Sequence, residues 1–253
     1  MPPRGDVAVV IPAKNEADRI QATVTAAAGI PGADLVVVVD DGSRDDTAAV
    51  AESAGAIVLR HSRSRGKGAA LETGAEAVRL LERDDAQRHY LLFLDGDLAG
   101  SAGCAGALVQ PVRDGQADMT IAVFTDRMRA GGHGFVIGLS GAGIRRATGW
   151  APAQPLNGQR CLTRAAFEAA RPLAAGWGVE TGLTIDLLRQ GFRVTEVEVP
   201  MAHRATGTDW QAQLHRARQF AGVARALATR DPRAQAARRA LDRAEGARRR
   251  PGQ

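Results

Sequence analysis

Tyr90-Leu91-Leu92-Phe93-Leu94-Asp95-Gly96-Asp97 carries an apolar run straight into two carboxylates. A short run of this composition reads as a strand buried on both faces, and the acids that follow mark its exit into a loop. The pattern recurs upstream. Val7 to Ile11 leads into Pro12-Ala13-Lys14-Asn15-Glu16, Leu35 to Val39 into Asp40-Asp41-Gly42-Ser43, and Ala56 to Leu59 into a polar loop from His61 to Gly68. Met119 to Ala122 is a fifth such strand, and amphipathic stretches near 16–27, 46–54, 67–82 and 102–113 separate the five. Alternation of this kind predicts an α/β fold, a Rossmann-like, mostly parallel sheet flanked by helices. Ligands of such sheets bind beyond the carboxyl ends of the strands, so four loaded loops at one edge mark a site.

The second half is less regular. It holds a Gly-rich stretch from Ala130 to Gly143, an apolar-polar segment Leu156 to Leu162, a helix near 181–190, a strand Arg193 to Val199 and a final amphipathic helix from Asp209 to about Ala228. No internal repeat or linker is evident. The expected organisation is one domain over 1–229, with a nucleotide-binding half (1–124) and an acceptor half (125–229), followed by a basic tail (230–253).

At 253 residues and 45% hydrophobic composition the chain can bury a full core, which excludes a disordered or fibrous protein. No run is apolar and long enough to span a bilayer, and the start MPPRGD lacks a secretory h-region, so a cytoplasmic location is expected. Cys104 and Cys161 stand far apart and suggest neither a disulfide framework nor a zinc site. The net charge of +5 is uneven: residues 201–253 hold twelve Arg against four acids, leaving the first 200 residues at −3. That tail reads as a solvated basic end with no nucleic acid implied, although peripheral contact with an anionic lipid surface is compatible with it. Arginine occurs 31 times and lysine twice, and Lys14 and Lys67 both fall in the polar loops. A retained lysine in so arginine-rich a chain suggests a site that wants a compact ammonium.

Asp95 and Asp97, spaced by Gly96 at a strand end, form a hard-cation pattern: Mg²⁺ or Mn²⁺ is typically held by one or two carboxylates while substrate phosphate completes its shell. Asp40 or Asp41 can accept a hydrogen bond from a nucleobase edge, and Ser43 is placed to cap the helix that follows. Gly66-Lys67-Gly68 lies between strand and helix, so its amides and ammonium can approach diphosphate oxygens, yet it lacks the Walker spacing. No Gly-x-Gly-x-x-Gly fingerprint is present, which counts against a dinucleotide enzyme. His203, just past a strand ending Val199-Pro200, is a candidate imidazole ligand.

Taken together, Val-Ile-Pro-Ala-Lys-Asn-Glu (10–16), Val-Asp-Asp-Gly-Ser (39–43), Gly-Lys-Gly (66–68) and Asp-Gly-Asp (95–97) resemble the family 2 glycosyltransferases of the A-type (GT-A) nucleotide-diphospho-sugar transferase fold. Gln154-Pro155-Leu156-x-Gly158, Gly176-Trp177-Gly178-Val179-Glu180-x-Gly182-Leu183 and His203-Arg204 are similar to the glucosyl-3-phosphoglycerate and mannosyl-3-phosphoglycerate synthase group. The resemblance implies that Pro12, Ala13, Asn15 and Glu16 line a nucleoside pocket, that Asp40 reads the base with Asp41 beside it, and that Lys67 neighbours the diphosphate. It implies Asp95 and Gly96 by the ribose and metal, Asp97 and His203 as metal ligands, and Asp97 and Glu180 as the catalytic pair. Gly158, Gln159, Arg160 and Gly182 would then serve the acceptor.

Two departures stand out. The group carries Gly-Gly-Gly-Arg-Val-Thr for an acceptor phosphate, where this chain has Gly131-Gly132-His133-Gly134-Phe135-Val136, and Gln159 replaces an acid. Phosphoglycerate is therefore not assigned. The expected activity is metal-dependent transfer of a hexosyl group from a UDP- or GDP-sugar to a hydroxyl or phosphorylated acceptor, with Mg²⁺ or Mn²⁺ as cofactor and a second copy of the chain as a candidate partner. Two rivals are a nucleotidyltransferase, which would want a Gly-rich loop after the first strand, and a non-catalytic nucleotide-sugar module, against which Asp97, Glu180 and His203 together speak.

Overall fold

The computed structural model describes residues 6–82, 88–125, 134–201 and 210–231. In chain order its elements are β1 (Val7–Ala13), α1 (Ile20–Ala28), β2 (Ala33–Asp40), α2 (Thr47–Ser53), β3 (Ile57–Arg60), α3 (Lys67–Leu81) and β4 (Tyr90–Phe93). A 3-10 segment Ala99–Leu108 then runs into α4 (Val109–Arg113), followed by β5 (Met119–Phe124), α5 (Gly134–Thr148), β6 (Arg160–Leu162) and α6 (Arg164–Ala170). A 3-10 turn Gly176–Gly178, α7 (Val179–Arg189), β7 (Val194–Val199) and α8 (Trp210–Thr229) complete it.

The strands form one seven-stranded sheet in the order β3-β2-β1-β4-β6-β5-β7, all parallel except β6. This matches the mostly parallel GT-A architecture. Because successive strand residues point to opposite faces, β1 feeds two cores at once. Val7, Val9 and Ile11 pack with Ile20, Val24 and Ala27 of α1 and with Ala102, Ala105 and Leu108. Ala8 and Val10 pack with Ala70, Leu71, Ala75 and Val78 of α3 and with Val179, Leu183 and Leu187 of α7. Residues 7–11 are wholly inaccessible, which explains the uninterrupted apolar run.

The chain moves outward from β1 to β2 and β3, then returns to β4 on the other side of β1. Such a reversal opens a crevice beyond the carboxyl ends of β1 and β4, where Pro12 to Glu16 and Asp95 to Asp97 emerge.

The second half departs from its sequence reading in three places. The antiparallel β6 pairs Arg160 with Phe93 on one side and with Ile121 on the other. The Gly-rich stretch is largely helix: α5 starts at Gly134, and at Gly143 it lies so close to α8 that an added Cβ would fall 2.3 Å from Leu227. α6 had no separate signal. Residues 126–133, 202–209 and 232–253, with the Gly-Gly-His segment, His203, Arg204 and nearly all of the basic tail, lie outside the described residues. Among the described residues no helix is long and apolar enough to cross a membrane.

Candidate functional site

Lys67 is the first residue of α3, and its ammonium meets Asp95 Oδ1 at 2.6 Å and Glu180 Oε1 at 2.7 Å. It thus joins the loop after β4 to the first turn of α7. Burial alone would lower the Lys67 pKa, but the charges of Asp95 and Glu180 and their hydrogen bonds outweigh it and hold the ammonium above the ordinary lysine range. The other oxygen of Asp95, Oδ2, accepts a hydrogen bond from Gln159 Nε2 at 2.8 Å. Lys14, the second lysine singled out by composition, is exposed.

Gly158 closes this cluster from the β6 side. A Cβ there would sit 2.3 Å from Lys67 Nζ and 2.9 Å from both Asp95 carboxylate oxygens. Gly158→Ala is therefore expected to force Lys67 or Asp95 aside and to cut turnover at least about tenfold, the scale of sub-ångström to ångström misplacement of reacting groups. Steady-state kinetics checks this, and a wild-type rate would show that the close approach is dispensable.

The Asp95-Gly96-Asp97 loop is anchored through its main chain. Arg19 Nη1 donates to the Asp97 carbonyl at 3.1 Å, and the buried Thr23 hydroxyl donates to the Gly96 carbonyl at 2.9 Å while accepting from Ala99 N–H at 2.8 Å. Sequence reasoning missed both Arg19 and Thr23. Their only signal was two polar residues one turn apart beside the apolar face of α1.

Asp40 and Asp41 diverge in role. Asp40 is wholly buried; its Oδ1 accepts from Ser43 N–H at 2.8 Å, and its Oδ2 faces Arg60 Nε at 3.1 Å as an ion pair without hydrogen-bond alignment. Asp41 organises the loop before α3, accepting from His61 Nδ1 (2.7 Å), Ser64 Oγ (2.7 Å), Arg65 N–H (2.7 Å) and Gly66 N–H (2.9 Å). Burial raises the Asp41 pKa, but these hydrogen bonds together bring it below the usual carboxylate range. The Gly66 amide, expected to approach a diphosphate, is thus engaged by Asp41 together with that of Arg65. Ser43 does not cap α2 either: its hydroxyl accepts from Asn15 N–H at 2.9 Å, while Asn15 Oδ1 accepts from Arg44 N–H at 2.9 Å. Glu16 N–H donates to Thr47 Oγ1 at 2.9 Å, so the first two strand-end loops are stitched together where Pro12, Ala13 and Glu16 lie.

On the acceptor side, the structure separates the four candidates. Gly158 and Gln159 touch the Lys67–Asp95 cluster directly. Arg160, by contrast, is 1% exposed and donates to the carbonyls of Asn157 and Pro155 and to the Thr184 hydroxyl, so its guanidinium faces the core and not a ligand. Gly182 is a packing position, where an added Cβ would meet Ala174 and Arg230 at 2.9 Å. Arg145 and Arg146 are exposed in the last turn of α5.

The donor set suits a hard divalent cation. Asp95 and Asp97 share one loop that Arg19 and Thr23 anchor through its main chain, and among the described residues no three metal-ligating side chains come together as a closed site would require. Two carboxylates, Asp95 and Glu180, stand against the single Lys67 ammonium, so a diphosphate entering there meets no surplus positive charge.

A family model for glycosyl transferase family 2 matches residues 8–150. Glycosyltransferase AglJ of Haloferax volcanii is 32% identical over 213 residues, 83% of this chain and 67% of the relative. Among solved structures, glucosyl-3-phosphoglycerate synthase from Mycobacterium tuberculosis in complex with Mn²⁺, uridine diphosphate and phosphoglyceric acid is similar with a TM-score of 0.71 at 26% identity, covering 90% of this chain and 78% of that one. The same enzyme with Mg²⁺ and uridine diphosphate gives 0.71 at 26% identity, over 90% and 79% of the two chains.

Proposed function

We propose, from the premise that this chain belongs to glycosyl transferase family 2 and is a glycosyltransferase, that it takes a sugar from a UDP-sugar in the crevice beyond β1 and β4 and passes it to a hydroxyl of a small anionic acceptor. The observation that carries this reading is the Lys67 ammonium held between Asp95 and Glu180 at the topological switch point. UDP is favoured over GDP, and a phosphorylated acceptor over a neutral one, because the structural relatives were crystallised with uridine diphosphate and phosphoglyceric acid. A GDP-sugar remains the alternative donor. The organisation into a domain over 1–229 with a basic tail, and a place in the cytoplasm, are part of the same proposal.

Asp97 and Asp95 would hold Mg²⁺ or Mn²⁺, with His203 as a further ligand. When bound, the cation supplies charge to the nucleoside diphosphate as it leaves. Pro12, Ala13, Asn15 and Glu16 line the nucleoside side. Asp40 reads a base edge only if the exposed Arg60 side chain swings off its Oδ2, so base recognition here is coupled to a surface arginine. Two of the three Lys67 N–H donors are engaged by Asp95 and Glu180, and the third is available to a phosphate oxygen. Glu180 has one oxygen on Lys67, and its other oxygen can accept a hydrogen bond from the acceptor hydroxyl and hold it against the anomeric carbon.

A thermal-shift panel of UDP- and GDP-sugars with and without Mn²⁺ tests the donor and the metal together. Stabilisation by UDP-sugars in Mn²⁺ is expected; no shift with any donor in Mn²⁺ would remove the proposal. Glu180→Gln should keep donor binding and lose turnover by about a hundredfold, the usual contribution of a positioned acid or base. A loss below about threefold would take Glu180 out of the mechanism.

A further inference from the structure

Arg160 is among the largest wholly buried side chains, and its partners are neutral groups: Asn157 O at 2.9 Å from Nε, Thr184 Oγ1 at 2.8 Å and the Met119 sulfur at 3.9 Å from Nη1, and Pro155 O at 3.2 Å from Nη2. A cation inside a core is costly unless its donors are satisfied, and an apolar side chain of similar volume would pack there at less cost. What the guanidinium achieves is a connection. Asn157 O and Pro155 O belong to the turn that delivers Gly158 against Lys67 and Asp95. Thr184 Oγ1 in turn donates to the Glu180 carbonyl at 2.8 Å, within the first turns of α7. One planar fork therefore fixes, from behind, the two walls that meet on the Lys67 ammonium.

We propose that Arg160, acting through Thr184, is a positioning residue for the transfer reaction: it sets the distance between the Pro155–Gly158 turn and the Glu180 end of α7, so that Glu180 and Asp95 both reach Lys67. The inference rests on the reading of Glu180 as the acceptor-side carboxylate. Burial pushes the Arg160 pKa down to about 10, with Glu180, Glu196 and Asp95 holding it up, so the fork keeps its charge and all its donors at neutral pH. Arginine suits the task because its rigid fork reaches three acceptors at once, which a lysine in its place would not. Packing by itself, as for Gly182, would stabilise α7 without specifying where Glu180 points.

The test uses the full chain with Thr184→Val, which keeps shape and removes the hydroxyl, beside Thr184→Ser and Arg160→Met. Release of UDP from UDP-glucose and of GDP from GDP-mannose in Mn²⁺, with phosphoglyceric acid supplied as the acceptor and water as the acceptor in its absence, reports turnover per folded molecule, and calorimetric titration with the same nucleotide sugars reports donor affinity. For Thr184→Val, turnover should fall at least about tenfold while donor affinity stays within about twofold, and Thr184→Ser should restore most of the loss. Arg160→Met should show the same split; if it does not fold, Thr184→Val alone decides. Wild-type turnover in Thr184→Val, or equal losses of binding and turnover, overturns the inference and leaves the function standing. No nucleotide release by the wild-type chain from either donor overturns both.

Discussion

Lys67→Met is expected to lower turnover by about 10² to 10³, the scale for losing a preorganised electrostatic group in a catalytic site. The reason lies in the ion pairs on both sides of it. Asp95 and Glu180 each approach its nitrogen within 2.7 Å, and the Glu180 side chain is only 8% exposed, so removing the cation leaves two carboxylates facing each other. Breaking such a pair in a fully buried site costs about 3–5 kcal/mol; with Asp95 a quarter exposed, about 2–3 kcal/mol is expected here. The pH dependence has a definite sign. Because the Lys67 pKa is raised on folding, its contribution is fully present across neutral pH and is lost only as pH rises beyond the ordinary lysine range. Pairing Lys67→Met with Glu180→Gln should recover part of the stability and none of the turnover, by urea denaturation and nucleotide release. A stable and active Lys67→Met protein would contradict the role given to the ammonium.

Asp97→Ala should be the more selective lesion. Its loop is held by Arg19 and Thr23 through main-chain carbonyls, so truncating the side chain leaves those anchors in place and the fold intact. Turnover should nevertheless fall by about 10³, because Lewis-acid stabilisation of a leaving diphosphate is worth several kcal/mol. Titrating a UDP-sugar against the variant with and without Mn²⁺ should show that the metal no longer strengthens binding. Retained metal dependence together with wild-type rates would relocate the cation.

The strands that carry the donor side were legible because β1, β2 and β4 are buried on both faces, which leaves apolar runs ending abruptly in polar loops. β6 was not legible as a strand. It is three residues long, begins with an arginine and runs against its neighbours, so neither length nor alternation announces it. α5 was obscured by Gly134, Gly138, Gly141 and Gly143, whose poor helix propensity is overridden by packing on α7 and α8. Within the site, Lys67, Asp95 and Glu180 could each be picked out, Lys67 by the rarity of lysine, Asp95 by its strand end and Glu180 by family resemblance. Their meeting at one nitrogen could not, because it depends on how α7 docks beside α3. Asp41 and Arg160 were read as ligand-facing because their charges stand out in a string of letters, whereas their hydrogen bonds turn them into the supports of a loop and a turn.

At the start of the antiparallel β6, Gln159 and Arg160 have different partners although they are neighbours: the amide turns to Asp95 and the guanidinium to Thr184. Side chains alternate along extended backbone, so a slip of a single position would turn each of them to the other face. Deleting one residue between Pro155 and Gly158 would then draw Arg160 into the place of Gln159, aiming a second cation at Lys67, and put the Cys161 thiol in the core where the guanidinium had been. The length of this turn is thus held more tightly than its composition, and variation of acceptor preference among descendants of this chain, natural or designed, is expected to proceed by substitution here and by insertion elsewhere.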